Sequence, residues 1–179
     1  PYLKAMMDAV HEPGIEKVVF MTGAQVGKTE VFMNYLGYVI MLDPGPALVV
    51  FPSEILSKAF SQDRLTPMLR DTPALRGKAW NLEESRNSSN KILRKAFNGG
   101  YVALVGSESS GHLKSRPIRY VFLDEVDSFA KSASDEGDPA SLAIKRTANF
   151  HDRKIIICST PSNVGTSRIE KEFKKSDQR

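Results

Sequence analysis

Lys17-Val-Val-Phe-Met-Thr-Gly-Ala-Gln-Val-Gly-Lys-Thr-Glu-Val31 decides how the whole chain is read. Its first six residues, Lys17 to Thr22, form a short apolar, β-branched run of the kind that becomes a buried strand. From Lys28 to Met41 the residues Val31, Phe32, Tyr35, Leu36, Val39 and Ile40 recur with a helical period, and Gly23 and Gly27 bracket the turn between. A phosphate chain needs inward-pointing backbone N–H groups at a helix N-terminus and glycine where a Cβ would not fit. It also needs a lysine ammonium on the terminal phosphates and a hydroxyl on Mg²⁺. Gly27, Lys28 and Thr29 supply the last three in order. The usual pattern sets a glycine five residues before Gly27; Thr22 stands there instead, and the glycine is displaced to Gly23.

Outward from that unit the alternation continues. Leu3, Met6, Met7 and Val10 predict a helix over 2–12 that stops near Pro13-Gly14. After the turn Asp43-Pro-Gly-Pro46, Ala47 to Phe51 reads as a second strand; Ser53-Glu54 opens a helix through Phe60 that resumes after a break to Leu69. Residues 72–90 are polar and turn-rich. Ile92 to Phe97 and Tyr101 to Val105 flank Asn98-Gly99-Gly100, a β-hairpin signature near 91–106. Ser107 to Ser115 reads as loop, Arg119 to Leu123 and Lys154 to Cys158 as core strands, and Pro139 to Phe150 as a helix. Short strands apolar on both faces, alternating with helices, predict a mostly parallel sheet covered on two sides, with ligands beyond the carboxyl ends of its strands.

Composition narrows the field. The 179 residues are 41% hydrophobic and 26% charged, with ordinary Gly and Pro usage, which excludes disorder and collagen and suits one domain with one core. The longest apolar candidate for a membrane span, Val39 to Phe51, is broken by Asp43, Pro44, Gly45 and Pro46. The single cysteine, Cys158, excludes a disulfide framework and a cysteine-rich zinc site, suits a reducing cytoplasm, and reads as a small buried hydrophobe. The chain starts on Pro1 with no leader pattern after it, and reads as a piece of something longer. Its net charge of +4 is unevenly spread: residues 57–119 hold twelve Lys/Arg against five Asp/Glu, and residues 120–152 hold three against seven. The first stretch suits a polyanion and the second a divalent cation.

Two more strand ends carry chemistry. Tyr120-Val-Phe-Leu-Asp124-Glu125-Val-Asp127 delivers adjacent carboxylates; in a P-loop enzyme the first supports Mg²⁺ and the second orients and deprotonates the attacking water. Ile155-Ile-Ile-Cys158-Ser159-Thr160-Pro161 ends in small hydroxyl residues able to sense a γ-phosphate. Together the motifs predict a three-layer α/β/α P-loop NTPase of the additional-strand (ASCE), RecA-like class.

The order of these motifs, with Leu48-Val-Val-Phe-Pro-Ser53 and Leu113-Lys-Ser-Arg-Pro-Ile-Arg119 between them, resembles the ATPase domain of tailed-bacteriophage terminase large subunits of the lambda type. The likeness covers nearly the whole chain. It implies one ATP-hydrolysing motor domain over 1–179 that packages double-stranded DNA into a procapsid, with a nuclease domain after Arg179. It also implies a portal protein and a small terminase subunit as partners, a homo-oligomeric ring on the capsid, no membrane, and action in the cytoplasm of the infected bacterium. By residue, it implies that Thr22, Gly23, Ala24, Gln25, Val26, Gly27, Lys28, Thr29 and Glu30 hold ATP, with Ser159 and Thr160 as a coupling segment. Thr29 and Asp124 would hold Mg²⁺, and Glu125 would be the base. Relatives often carry an arginine in or just before the loop; residues 21–29 have none, so Arg116, with Lys114, Arg119 and Arg64 behind it, is the candidate for a charge-neutralising finger from a neighbouring subunit. A helicase-like or repair translocase, or a nucleotide switch without a motor, would use the same loop and acid pair.

Overall fold

The computed structural model describes residues 2–80, 92–109, 111, 113, 116–134 and 137–176. Seven strands form one sheet in the order β1-β7-β6-β2-β5-β4-β3. They are β1 (Lys17–Met21), β2 (Pro46–Phe51), β3 (Ala79–Trp80), β4 (Arg94–Phe97), β5 (Gly100–Gly106), β6 (Tyr120–Asp124) and β7 (Lys154–Ser159). The five from β1 to β5 in spatial order are parallel, and β4 and β3 continue the sheet antiparallel. β7 lies between β1 and β6, which is the inserted strand that the additional-strand class requires. The hairpin is not an appendage: Phe97 pairs with Gly100, Gly99 takes φ 84 at the tip, and β5 goes on to pair with β2 along its full length. The edge strand β3 was not expected.

Period two along each strand sorts the core into two layers. Phe122, Val49, Ile156 and Cys158 face one way, packing with α1 (Tyr2–His11), α2 (Lys28–Met41) and the α3 (Glu54–Phe60) to α4 (Thr66–Asp71) segment. Val121, Leu123, Val50, Ile155 and Ile157 face the other, against α5 (Pro139–Lys145) and α6 (Arg168–Lys174). The sheet is therefore covered on both sides, as the three-layer reading requires. The break expected between Phe60 and Leu69 is a π-helical turn at Ser61–Leu65, where Thr66 N–H reaches back five residues to Ser61 O just before Pro67, which has no N–H to give.

Two helices depart from expectation. α5 ends at Lys145 rather than Phe150, because Thr147 turns its N–H and its hydroxyl onto Ile144 O and Arg146 O is taken by Ile118 N–H. α6 went unnoticed, although Ser167 accepts from Glu170 N–H and Glu170 reaches back to Gly165 N–H. That Ser-x-x-Glu start ahead of Ile169 and Phe173 is a capping signal legible in the sequence.

α2 sets the site. Its Phe32 ring meets Phe122 edge-on at 4.7 Å, and Tyr35 lies 6.1 Å from Tyr120, so the helix runs down β6 as its residue numbers rise. One helical turn above Phe32 is Lys28, and two strand residues above Phe122 is Asp124. These rises are about 6.0 and 6.6 Å, so the helix start and the acidic strand end arrive at one level.

Candidate active site

The loop from Thr22 to Gly27 leaves β1 through a bond from Thr22 N–H to Ser159 O at 3.3 Å. Gln25 (φ 58) and Gly27 (φ 87) both adopt left-handed backbone. That φ favours glycine at 27, and a Cβ there would also crowd the Leu3 side chain at 3.1 Å. The displaced Gly23 has open space around it and no positive φ; the second left-handed position falls on Gln25, an exposed non-glycine residue holding strained backbone at the mouth of the site. Gly27 caps α2 without a side chain; its carbonyl takes the Glu30 N–H at 3.0 Å, while the Lys28 and Thr29 N–H groups have no bond among the described residues and can face an anion.

Lys28 is 7% exposed. Its ammonium sits 2.9 Å from Glu125 Oε1 and donates to Thr160 Oγ1 at 3.0 Å, so three separate motifs meet on one nitrogen. Thr29 follows, half-buried, and no described residue bonds its hydroxyl. Glu30 is exposed on α2 and pairs with Arg64 of the π turn at 2.6 Å, which puts Arg64 beside the loop by a contact no local pattern announced.

Asp124 ends β6 on the α2 face and is buried. Burial pushes its carboxyl above the usual range; the Cys158 thiol, opposite it in the β6–β7 register and donating to Oδ1 at 3.1 Å, pulls the other way, while Glu125 next door raises it again. Cys158 is thus more than a small hydrophobe: it is a buried donor on the candidate Mg²⁺ carboxylate, with its own ionisation pushed up by burial and by that neighbour. Glu125 takes φ 55, which turns its side chain back over the strand ends, and its N–H closes the ladder on Cys158 O at 2.8 Å. Ser159 Oγ, at 3.2 Å, and Thr160 N–H, at 3.3 Å, both bond Glu125 Oε2.

These residues fit a Mg·nucleotide. The Lys28 ammonium suits phosphate oxygens, while a hydroxyl with no described partner and a buried carboxylate with one oxygen held by a thiol are the hard-oxygen donors that Mg²⁺ takes alongside phosphates. Among the described residues no cluster of three His, Cys, Asp or Glu exists to cage a metal without that substrate.

The basic candidates separate. Arg119 precedes β6 at the amino ends of the strands, locked to Asp43 and Asp152. Arg116 lies 6.0 Å from the Tyr101 ring near the start of β5, about 17 Å along the strands from the end that carries Glu125. Lys114 lies outside the described residues.

The family model described as phage terminase large subunit gpA, ATPase domain, matches residues 1–179. The terminase large subunits of Enterobacteria phage P21 and of Escherichia phage lambda are each 26% identical to the chain, over 177 and 178 residues. Those matches cover 98% of this chain but 27% and 28% of theirs, so the chain spans about a quarter of each relative. Among solved structures, the Thermus phage P74-26 large terminase ATPase domain superposes with a TM-score of 0.63 at 16% identity, over 88% of this chain and 64% of that one. The Phi-28 gp11 DNA packaging motor superposes at 0.51 and 12% identity, over 90% and 50%. At these identities the structural likeness speaks for the fold. No helix among the described residues is long and apolar enough to cross a membrane.

Proposed function

The chain belongs to the family of phage terminase large subunit ATPase domains, and from that membership we propose that it hydrolyses Mg·ATP to drive double-stranded DNA into a procapsid. Its partners in that work are a portal protein and a small terminase subunit, in a homo-oligomeric ring within the host cytoplasm, with a nuclease domain following in the whole protein. The observation that carries this reading is the convergence of Glu125 and Thr160 on the Lys28 ammonium, at 2.9 and 3.0 Å. Family membership favours packaging over the helicase-like and switch alternatives.

In this reading the backbone from Thr22 to Val26 and the start of α2 from Gly27 to Glu30 cradle the phosphates, and Lys28 moves from Glu125 to the terminal phosphate. Thr29 and Asp124 hold Mg²⁺. When bound, the ion neutralises charge that develops on the phosphoryl oxygens. Once Lys28 is drawn away, Glu125 is free to aim a water and accept its proton, still steadied by Ser159 and Thr160. Thr160, which shares the ammonium, carries the change into the segment after β7. Arg116 acts, if as a finger, across a subunit boundary, because its own chain keeps it at the far end of the strands.

Glu125→Gln in the intact protein tests the assignment. Nucleotide binding is retained while DNA-stimulated turnover falls by about 10²-fold or more; turnover at the wild-type rate overturns the role given to Glu125.

A further inference from the structure

The acidic motif holds a third carboxylate, Asp127, that the chemistry above does not use. It lies in the short turn Val126–Ser128. Asp127 Oδ2 accepts from the N–H and the hydroxyl of Ser162 at 2.8 and 2.7 Å, and Oδ1 accepts from Ile169 N–H in the first turn of α6 at 2.8 Å. These donors lie in the segment that follows β7 and in the first turn of α6. In the opposite direction, Asp127 N–H donates to Ser159 Oγ at 3.3 Å, and that oxygen contacts Glu125. Arg168 braces the same turn, donating to the carbonyls of Val126, Phe129 and Ala130 at 3.2, 3.0 and 2.8 Å and pairing with Asp138 at 3.3 Å.

We propose that Asp127 is a positioning residue for hydrolysis. Thr160 N–H and Ser159 Oγ steady the base, and Thr160 Oγ1 holds Lys28, so the site depends on where the main chain runs just after β7. Asp127 fixes that course by gripping Ser162, two residues on, and Ile169 beyond it. Its grip also obliges the 160–169 segment and α6 to follow any shift of the acidic turn. Charge-assisted bonds from one carboxylate to several N–H and O–H donors suit such a joint, being short and directional. The inference rests on Glu125 acting as the base.

The test compares Asp127→Asn, Ser162→Ala and Glu125→Gln in the intact protein. It reads DNA-stimulated turnover, affinity for a fluorescent ATP analogue, and amide hydrogen exchange over 160–175. Asparagine keeps the shape but turns an NH₂ toward one of the two donor sets. Turnover in Asp127→Asn is expected to fall about tenfold or more, as small misplacements of reacting groups do. Analogue affinity should stay within about threefold, the pattern of a group that acts in the transition state. Exchange across 160–169 should speed up, and Ser162→Ala should lose roughly threefold in turnover. Turnover within about twofold of wild type in Asp127→Asn, or parallel loss of binding and turnover, overturns the proposal. Should Asp127→Asn not fold, Ser162→Ala decides, and unchanged turnover there overturns it. Turnover surviving Glu125→Gln sinks the base assignment and this inference with it; turnover lost in Glu125→Gln but kept in Asp127→Asn sinks this inference alone.

Discussion

Strand β6 ends in an ion cluster at each pole, and the two are built differently. At the amino pole Arg119 forks onto both oxygens of Asp43 at 2.8 and 3.1 Å and onto Asp152 at 2.6 Å, with its guanidinium 4.8 Å over the Tyr120 ring. Tyr120 in turn donates to Asp43 O, and burial raises its phenol and that of Tyr35 far beyond neutral titration. At the carboxyl pole Lys28 offers a compact ammonium to one glutamate oxygen and one hydroxyl. A planar fork with several fixed partners locks a geometry, whereas a point charge on a flexible stem can exchange partners without rebuilding its surroundings. The backbone follows suit: of the three left-handed non-glycine residues among those described, Gln25 and Glu125 flank the lysine pole, the third being Ser134 in the loop before α5. One pole ties strand ends together, and the other is the one proposed to take a ligand.

Substitutions at the two poles should separate stability from chemistry. The largest effect expected is Lys28→Ala, which removes the ammonium proposed above to meet the terminal phosphate. ATP hydrolysis should fall by about 10²- to 10³-fold, with a denaturation midpoint near that of wild type because Glu125, left behind, is partly solvated and keeps its bonds from Ser159 and Thr160. A midpoint that collapses instead would make Lys28 a structural residue and erase the contrast. Next is Arg119→Ala, expected to cost about 2 kcal/mol in denaturant unfolding, less than for a fully buried pair because Asp43 and Asp152 are partly solvated. Turnover per folded molecule should be unchanged, and a selective loss of turnover would show that the amino pole takes part in chemistry.

Smaller effects sharpen the picture. Cys158→Val keeps the volume but takes the thiol from Asp124, and the Mg²⁺ concentration for half-maximal turnover should rise roughly tenfold, with Cys158→Ser closer to wild type. Equal Mg²⁺ requirements in all three proteins would reduce Cys158 to packing. The smallest effect concerns pH. Asp127 is held at about 2 by its donors against a burial cost that acts the other way. A depressed carboxyl contributes stability in full above its unfolded value near 4, and that contribution is lost as pH falls toward about 2. Unfolding followed from pH 5 to pH 2 should show a shallower decline for Asp127→Asn than for wild type; superimposable curves would deny Asp127 its donors.

Much of the site was legible because its groups lie at ends of apolar runs. Lys17 to Val31 names its own strand, bend and helix, and Tyr120 to Glu125 carries two adjacent carboxylates to a strand end. Gly27 was recognisable as glycine by need, whereas the strain at Gln25 was not, since nothing about a glutamine announces a positive φ. The Glu30–Arg64 pair, the Cys158 thiol on Asp124 and the grip of Asp127 on Ser162 and Ile169 join residues far apart in the chain, and no local period reports such pairs. α6 could have been found from Ser167 and Glu170, which mark its start. Arg116 and Arg119 look close to the acids when counted along the chain, yet a strand separates its two ends by its whole length.

The amino-acid sequence alone determined which chemical groups exist, which face of each strand or helix they occupy, and that the phosphate loop and the acid pair each cap an apolar strand. The tertiary structure decided that β7 lies between β1 and β6, which sets Cys158 beside Asp124 and Thr160 against Lys28. The reason is physical: alternation is imposed by backbone geometry residue by residue, whereas strand order depends on which distant segments pair and pack together, as β7 does with both β1 and β6.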